Sequence, residues 1–182
     1  MKKGFVALFV FFALTICQAF AYDVKDFSSD ATIISAMELL EANGQDDVFA
    51  NLKKNSVKVK FYNLAGYGQA VYAANTYDMN GRRVILINSL YKDAPIEQIA
   101  CLIAHESCHV LRKATLEEET TATQKEAACW TKLKNTSVTY PETKLTKRLD
   151  KIAGLYLASS DGNNYIGDKI ASSSFYRAQF GM

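Results

Sequence analysis

The chain is expected to fold as a single α+β domain, with a three-stranded antiparallel meander lying ahead of a run of helices. Three observations carry that expectation. Strand-like alternation is confined to residues 57–87, apolar residues recur at helical spacing on both sides of it, and Asn80-Gly81 separates two of the strand-like runs. No internal repeat, low-complexity tract or interdomain linker interrupts the 182 residues.

The elements follow in order. Lys2 and Lys3 precede an apolar run from Gly4 to Ile16, and Ala19-Phe20-Ala21 offers a small-x-small cleavage site before Tyr22, which is the layout of a secretory signal peptide. At 13 residues the run is too short to span a bilayer, and bulky Ile16 before Cys17 makes a poor lipid-attachment box. The expected division is therefore a signal peptide over 1–21 and one domain over 22–182. The destination is secreted or periplasmic, with no stable membrane insertion after cleavage. Removing 1–21 leaves 161 residues with 19 basic and 19 acidic side chains. That balance argues against nucleic acid or an anionic membrane as a partner chosen by bulk charge.

Ile33, Ile34, Met37 and Leu40 give a first helix over 30–42, stopped by Asn43-Gly44, and 47–54 reads as a short second one. Val57 to Phe61 alternates as a half-buried strand. A turn around Gly66 and Gly68 leads to a second strand over 70–77, and Asn80-Gly81, both tolerant of positive φ, joins it to a third over 83–87. Asp93-Ala94-Pro95 reads as a helix start, with Asp93 as N-cap, and Ile96, Ile99, Ala100, Ile103 and Ala104 form the stripe of a buried helix. Thr115 with Glu118 reads as a capping box for the next helix, which runs to about Asn135. Pro141 opens another that carries Leu145, Leu149, Ile152, Leu155 and Tyr156 to about Ala158. A polar loop over 159–164 precedes an aromatic, partly helical tail from Tyr165 to Phe180.

The only two histidines lie on the buried helix as His105-Glu106-Ser107-Cys108-His109. On an α-helix, residues i and i+4 share a face, so both imidazoles can reach one Zn²⁺ while Glu106 leans over the same cavity. Catalytic zinc takes three protein ligands, and with no third histidine the last must be a carboxylate or thiolate. If Glu118 serves the helix cap, Glu119 is free for the metal; the competing reading is that Glu117, Glu118 and Glu119 only complement the helix dipole. Glu126, on the same face as Glu119, suits a carboxylate that receives a ring N–H from a ligand histidine.

The run from Ala104-His105-Glu106-Ser107 through Glu118-Glu119-Thr120-x-Ala122-x-x-x-Glu126-Ala127-x-x-Trp130 resembles small secreted bacterial metallopeptidases of zincin type. More distantly, the His-Glu-x-x-His helix followed by Glu-x-x-Ala is similar to the gluzincin arrangement. The resemblance implies a small zincin-like domain, Glu119 as third ligand, Zn²⁺ as cofactor and a peptide or protein as substrate. It also suggests Val84–Ile87 as the strand along which a peptide would lie, although an interior strand would read the same way. One departure is Cys108, inside the motif where such proteins more often carry Met, Leu or Ala; a thiol there could bind or poison the metal.

The expected chemistry is amide hydrolysis in a secreted zinc-dependent peptidase. Water is activated by the metal, and Glu106 serves as general base. The donor to the oxyanion must come from Tyr, Arg or backbone N–H, with Tyr140, Tyr165, Tyr176 and Arg177 available and Tyr165 nominated for its polar loop. The alternative is a catalytically inactive, metal-containing module used for binding or structure. In an oxidising compartment Cys101, Cys108 and Cys129 would give one disulfide, with Cys101–Cys129 favoured among the three pairings; three buried thiols are a nearly equal competing reading, and a Cys–His–Cys site using Cys108 is the lesser alternative.

Overall fold

The computed structural model describes residues 22–67, 71–111, 113–159 and 163–181; the expected signal peptide, Gly68 and part of the 159–164 loop lie outside them. Asp30 caps α1 (Ala31–Ala42) by accepting from the backbone N–H groups of Thr32 and Ile33. Ile33, Met37 and Leu40 on its inner face are fully buried. Gly44, at φ +65°, turns the chain into α2 (Asp46–Lys54), where acids begin and lysines end the helix in keeping with its dipole.

The sheet is mixed, and the expected antiparallel meander is corrected. The strands β1 (Lys58–Tyr62), β2 (Ala73–Tyr77) and β3 (Arg83–Asn88) lie in the order β1-β3-β2, with β1 parallel and β2 antiparallel to β3. The reason is burial. Every residue of β3 is buried: Ile85 and Ile87 enter the main core, while Val84 and Leu86 join Leu64 in a second cluster on the other face. A strand apolar on both faces belongs inside a sheet that is covered above and below, rather than at its solvent edge. The segment after β1 meets that need by carrying Leu64 across Val84 and Leu86, so that β2 arrives on the far side. Consequently Val84–Ile87 is the central strand and has no edge for a peptide. The β2–β3 hairpin forms as expected but through a longer turn: Asp78 Oδ1 accepts from the N–H groups of Asn80 and Arg82, and Gly81 takes φ +73°.

The following helix, α3 (Ile96–Ser107), begins behind Pro95 as N-cap rather than Asp93, because Pro95 has the extended backbone of a cap and no side-chain cap forms. It runs through the centre of the molecule and packs on α1, α2, β2 and β3. Its other neighbours are α4 (Leu116–Leu133) and α5 (Lys144–Ala158), and two short helices, α6 (Tyr165–Ala171) and α7 (Ser174–Phe180), close the chain. No helix among the described residues is long and apolar enough to cross a membrane.

Trp130 of α4 is fully buried, meets Tyr140 edge-on at 5.0 Å and donates its indole N–H to Asp150 of α5 at 2.8 Å. Trp130→Ala removes both the ring and that anchor. It is expected to destabilise the fold by about 3–5 kcal/mol, read as a lower urea midpoint; an unchanged midpoint would show that the α4–α5 contact does not depend on the indole.

Candidate metal centre

The site is assembled where α3 stops. Ser107 Oγ and Cys108 Sγ both turn back to the carbonyl of Ala104, at 2.8 and 3.4 Å. The N–H groups of Val110 and Leu111, which a continuing helix would have used, instead go to Glu118 Oε1 at 2.6 and 2.9 Å. His109 therefore lies just outside the helix, in a tight turn with its N–H on Glu106 O at 3.3 Å. The sheet fixes that turn from the other side. Asn75 of β2 donates to the carbonyls of Glu106 and His109 at 2.8 and 3.1 Å, and the Arg83 guanidinium of β3 donates to those of His109 and Leu111.

His105, His109 and Glu119 come together with ligand atoms within 4.8 Å of one another, and all three are buried. The two Nε2 atoms are 3.3 Å apart; Glu119 Oε1 is 3.6 Å from His109 Nε2, and its Oε2 is 3.8 Å from His105 Nε2. Ligands about 2.0–2.1 Å from a tetrahedral ion stand roughly 3.3 Å apart, so the arrangement is within a few tenths of an ångström of a closed site.

The rear of each imidazole meets a carboxylate. His105 Nδ1 is 2.9 Å from Glu126 Oε2, and His109 Nδ1 is 3.4 Å from Glu118 Oε2. All four atoms are buried without another hydrogen-bond partner, so each pair is satisfied when Nδ1 carries the proton. That tautomer turns both Nε2 lone pairs toward Glu119. Two facing lone pairs beside a carboxylate call for a cation between them, and the donor set fits a divalent ion of zinc's kind.

Glu118 thus does more than its position in a capping box suggests: Thr115 Oγ1 does accept its N–H at 3.1 Å, but the carboxylate serves the His109 turn.

Behind Glu126 stands Arg148 of α5, whose Nη1 donates to Glu126 Oε1. Burial alone would raise the Glu126 carboxyl; Arg148 and then His105 more than offset it and hold it at about 2. A folded value below the unfolded one of 4.5 means that this carboxylate contributes stability above that pH and loses it as pH falls toward 2. For the metal-free protein the expected loss between pH 5 and 2 is about 2–3 kcal/mol from this group. Arg148→Met should flatten the fall, and melting curves at several pH values would refute the assignment if the slope were unchanged. Burial likewise would lower the His105 imidazole, but Glu126 raises it above its ordinary value.

Glu106 is buried beside the two histidines, and desolvation lifts its carboxyl above the usual range despite both imidazoles. It faces a cleft of about 730 Å³ together with Tyr72–Asn75, Arg148 and Tyr176. Tyr165 is not among the residues lining that cleft. It starts α6, about a third exposed, with its hydroxyl near Asn163. The tail tyrosine that reaches the cleft is Tyr176 of α7, raised by burial and by the Glu119 carboxylate with which it interacts. Tyr140 instead caps the chain at Asn135 N.

No cysteine among the described residues joins the ligand group. Cys108 is half-buried, with its thiol pushed up to about 11 by burial, and Cys101 and Cys129 are buried thiols that contact one another.

Asn75, Arg83 and Arg148 were not anticipated. Asn75 had a faint signal, as an amide residue where a strand favours β-branched or aromatic side chains; Arg148 had none, being one of several bases on an amphipathic helix. Comparison with family models, with curated proteins and with solved structures gave no match.

Proposed function

We propose that the chain is a secreted or periplasmic zinc-dependent peptidase of zincin-like, gluzincin-type design, acting on peptide or protein substrates. The observation that carries this reading is the triangle of His105, His109 and Glu119, with both imidazoles held by Glu126 and Glu118 from behind and Glu106 beside it. His105 and His109 through Nε2 and Glu119 through its carboxylate would hold the ion. Bound there, zinc supplies Lewis acidity, bringing water toward a neutral pKa and polarising a carbonyl.

The chain's own groups do the rest. Glu106, desolvated and so a stronger base than an exposed carboxylate, takes the proton from water and returns it to the departing amine nitrogen. Tyr176 holds a hydroxyl proton against Glu119 and is the donor placed to meet an oxyanion, in the role first assigned to Tyr165. The substrate strand moves from β3 to β2, which is at the edge of the sheet and whose Ala73, Ala74 and Asn75 line the cleft.

Metal removal tests the reading. Purified mature protein is expected to carry one zinc per chain by elemental analysis and to cleave a quenched peptide library. Dialysis against a chelator should abolish cleavage, and one equivalent of zinc should restore it. Cleavage that persists after zinc is stripped would overturn the proposal; retained zinc with no cleavage of any library would favour the inactive metal-containing module.

A further inference from the structure

One cation in the cleft takes no part in the proposed reaction beyond holding Glu126. Arg148 is the only Lys or Arg among the described residues that line it, and 24% of its side chain stays exposed there. A guanidinium carries five N–H donors in a planar fork, and holding Glu126 occupies Nη1 alone. The plane is supported by Tyr72, whose ring centroid lies 5.2 Å from the guanidinium carbon. Arg148 also lines a smaller cavity of about 130 Å³. No acidic residue lines that cavity, and the hydroxyl of Thr123 is buried there without a hydrogen-bond partner.

The placement along β2 gives this cation a meaning. Asn75 binds the Glu106 carbonyl, and Tyr72, three residues earlier on the same side of the cleft, lies against the Arg148 guanidinium. Three residues of extended chain span about 10 Å, so a peptide lying on this edge would pass Arg148 two or three residues from the bond above Glu106. Neutral peptide backbone has no need of a buried fork of donors. A carboxylate does.

We propose that Arg148, seated on Tyr72, forms a carboxylate-binding subsite, so that the site selects chains carrying a carboxylate two or three residues from the cleaved bond. The carboxylate is supplied either by a free C-terminus or by an Asp or Glu side chain. The inference rests on the peptidase reading for where the cleaved bond lies, and it is tested by binding rather than by turnover.

The mature, zinc-loaded protein would be titrated calorimetrically with three acetylated tetrapeptides: a free acid, its C-terminal amide, and an amide with an internal Glu. The free acid, the internal-Glu peptide or both should bind about tenfold more tightly than the neutral amide, the size expected of a charge-assisted hydrogen bond. Which of the two gains identifies the source of the carboxylate. In Arg148→Met the preference should fall to about one. Should that variant not fold, Arg148→Lys, which keeps a charge against Glu126 but loses the fork, should cut the preference at least about threefold.

Equal affinity for all three peptides, no binding of any of them, or a preference that survives both substitutions because zinc itself takes the carboxylate would each overturn the subsite. A carboxylate preference in a protein that cleaves no peptide would instead sink the hydrolytic reading and leave the subsite standing.

Discussion

On the proposed mechanism, a Glu106→Gln variant is expected to bind zinc as the parent does and to lose peptide hydrolysis by about 10²–10⁴-fold in kcat, the contribution typical of a general base. The amide has nearly the shape of the carboxylate, so the buried space beside His105 and His109 is filled as before. It cannot accept the proton from water. Because Glu106 is not one of the three clustered ligand residues, zinc content by elemental analysis should stay at that of the parent protein. Kinetics on a quenched peptide would sink the mechanism if the variant turned over as fast as wild type.

The second large effect belongs to Glu119. If His105, His109 and Glu119 are the three ligands, as proposed, removing one should weaken zinc binding by more than the roughly 10–100-fold that loss of an outer carboxylate costs, because two imidazoles alone would leave an ion half-coordinated. Three alanine variants along α4 make the test internal. Glu117 is exposed and should be silent. Glu118→Ala should fall in the outer-carboxylate range, since it releases both His109 Nδ1 and the N–H groups of Val110 and Leu111. Glu119→Ala should be the most severe. Competition with a chromophoric chelator orders the three, and equal loss from Glu117→Ala and Glu119→Ala would mean the ligand is misassigned.

Local signals in the sequence proved readable. The Thr115 cap, the hairpin at Asn80-Gly81 and the buried stripe of α3 each depend on residues within a turn or two of one another, where a side chain and its backbone partner are fixed together. The same holds for the metal triangle: i, i+4 spacing places His105 and His109 together, and Glu119 and Glu126 share one face of α4.

Strand order was not readable in this way. Alternation in β1 and an apolar run in β3 are compatible with a meander or with a crossover, and only the need to cover both faces of Val84–Ile87 decides between them. The tail tyrosine was hard to read for a related reason. Tyr165 stands out by its polar loop, whereas the turn between α6 and α7, far from the motif in sequence, determines that Tyr176 reaches Glu119. Arg148 illustrates the same limit, since its importance comes from Glu126 and Tyr72 on elements remote in the chain.

The C-terminal helix α7 has no fully buried residue, and its main packing partner is the equally short α6, yet it brings Phe175, Tyr176 and Gln179 to the cleft. His105 and Glu119, anchored on α3 and α4, share the global stability of the core, whereas a short helix held by so little is expected to open at a small fraction of that cost. The roof over His105, His109 and Glu119 and the floor that carries them therefore answer to different free energies. On the proposed peptidase reading, a peptide would gain entry by lifting the roof while those three side chains stay in register.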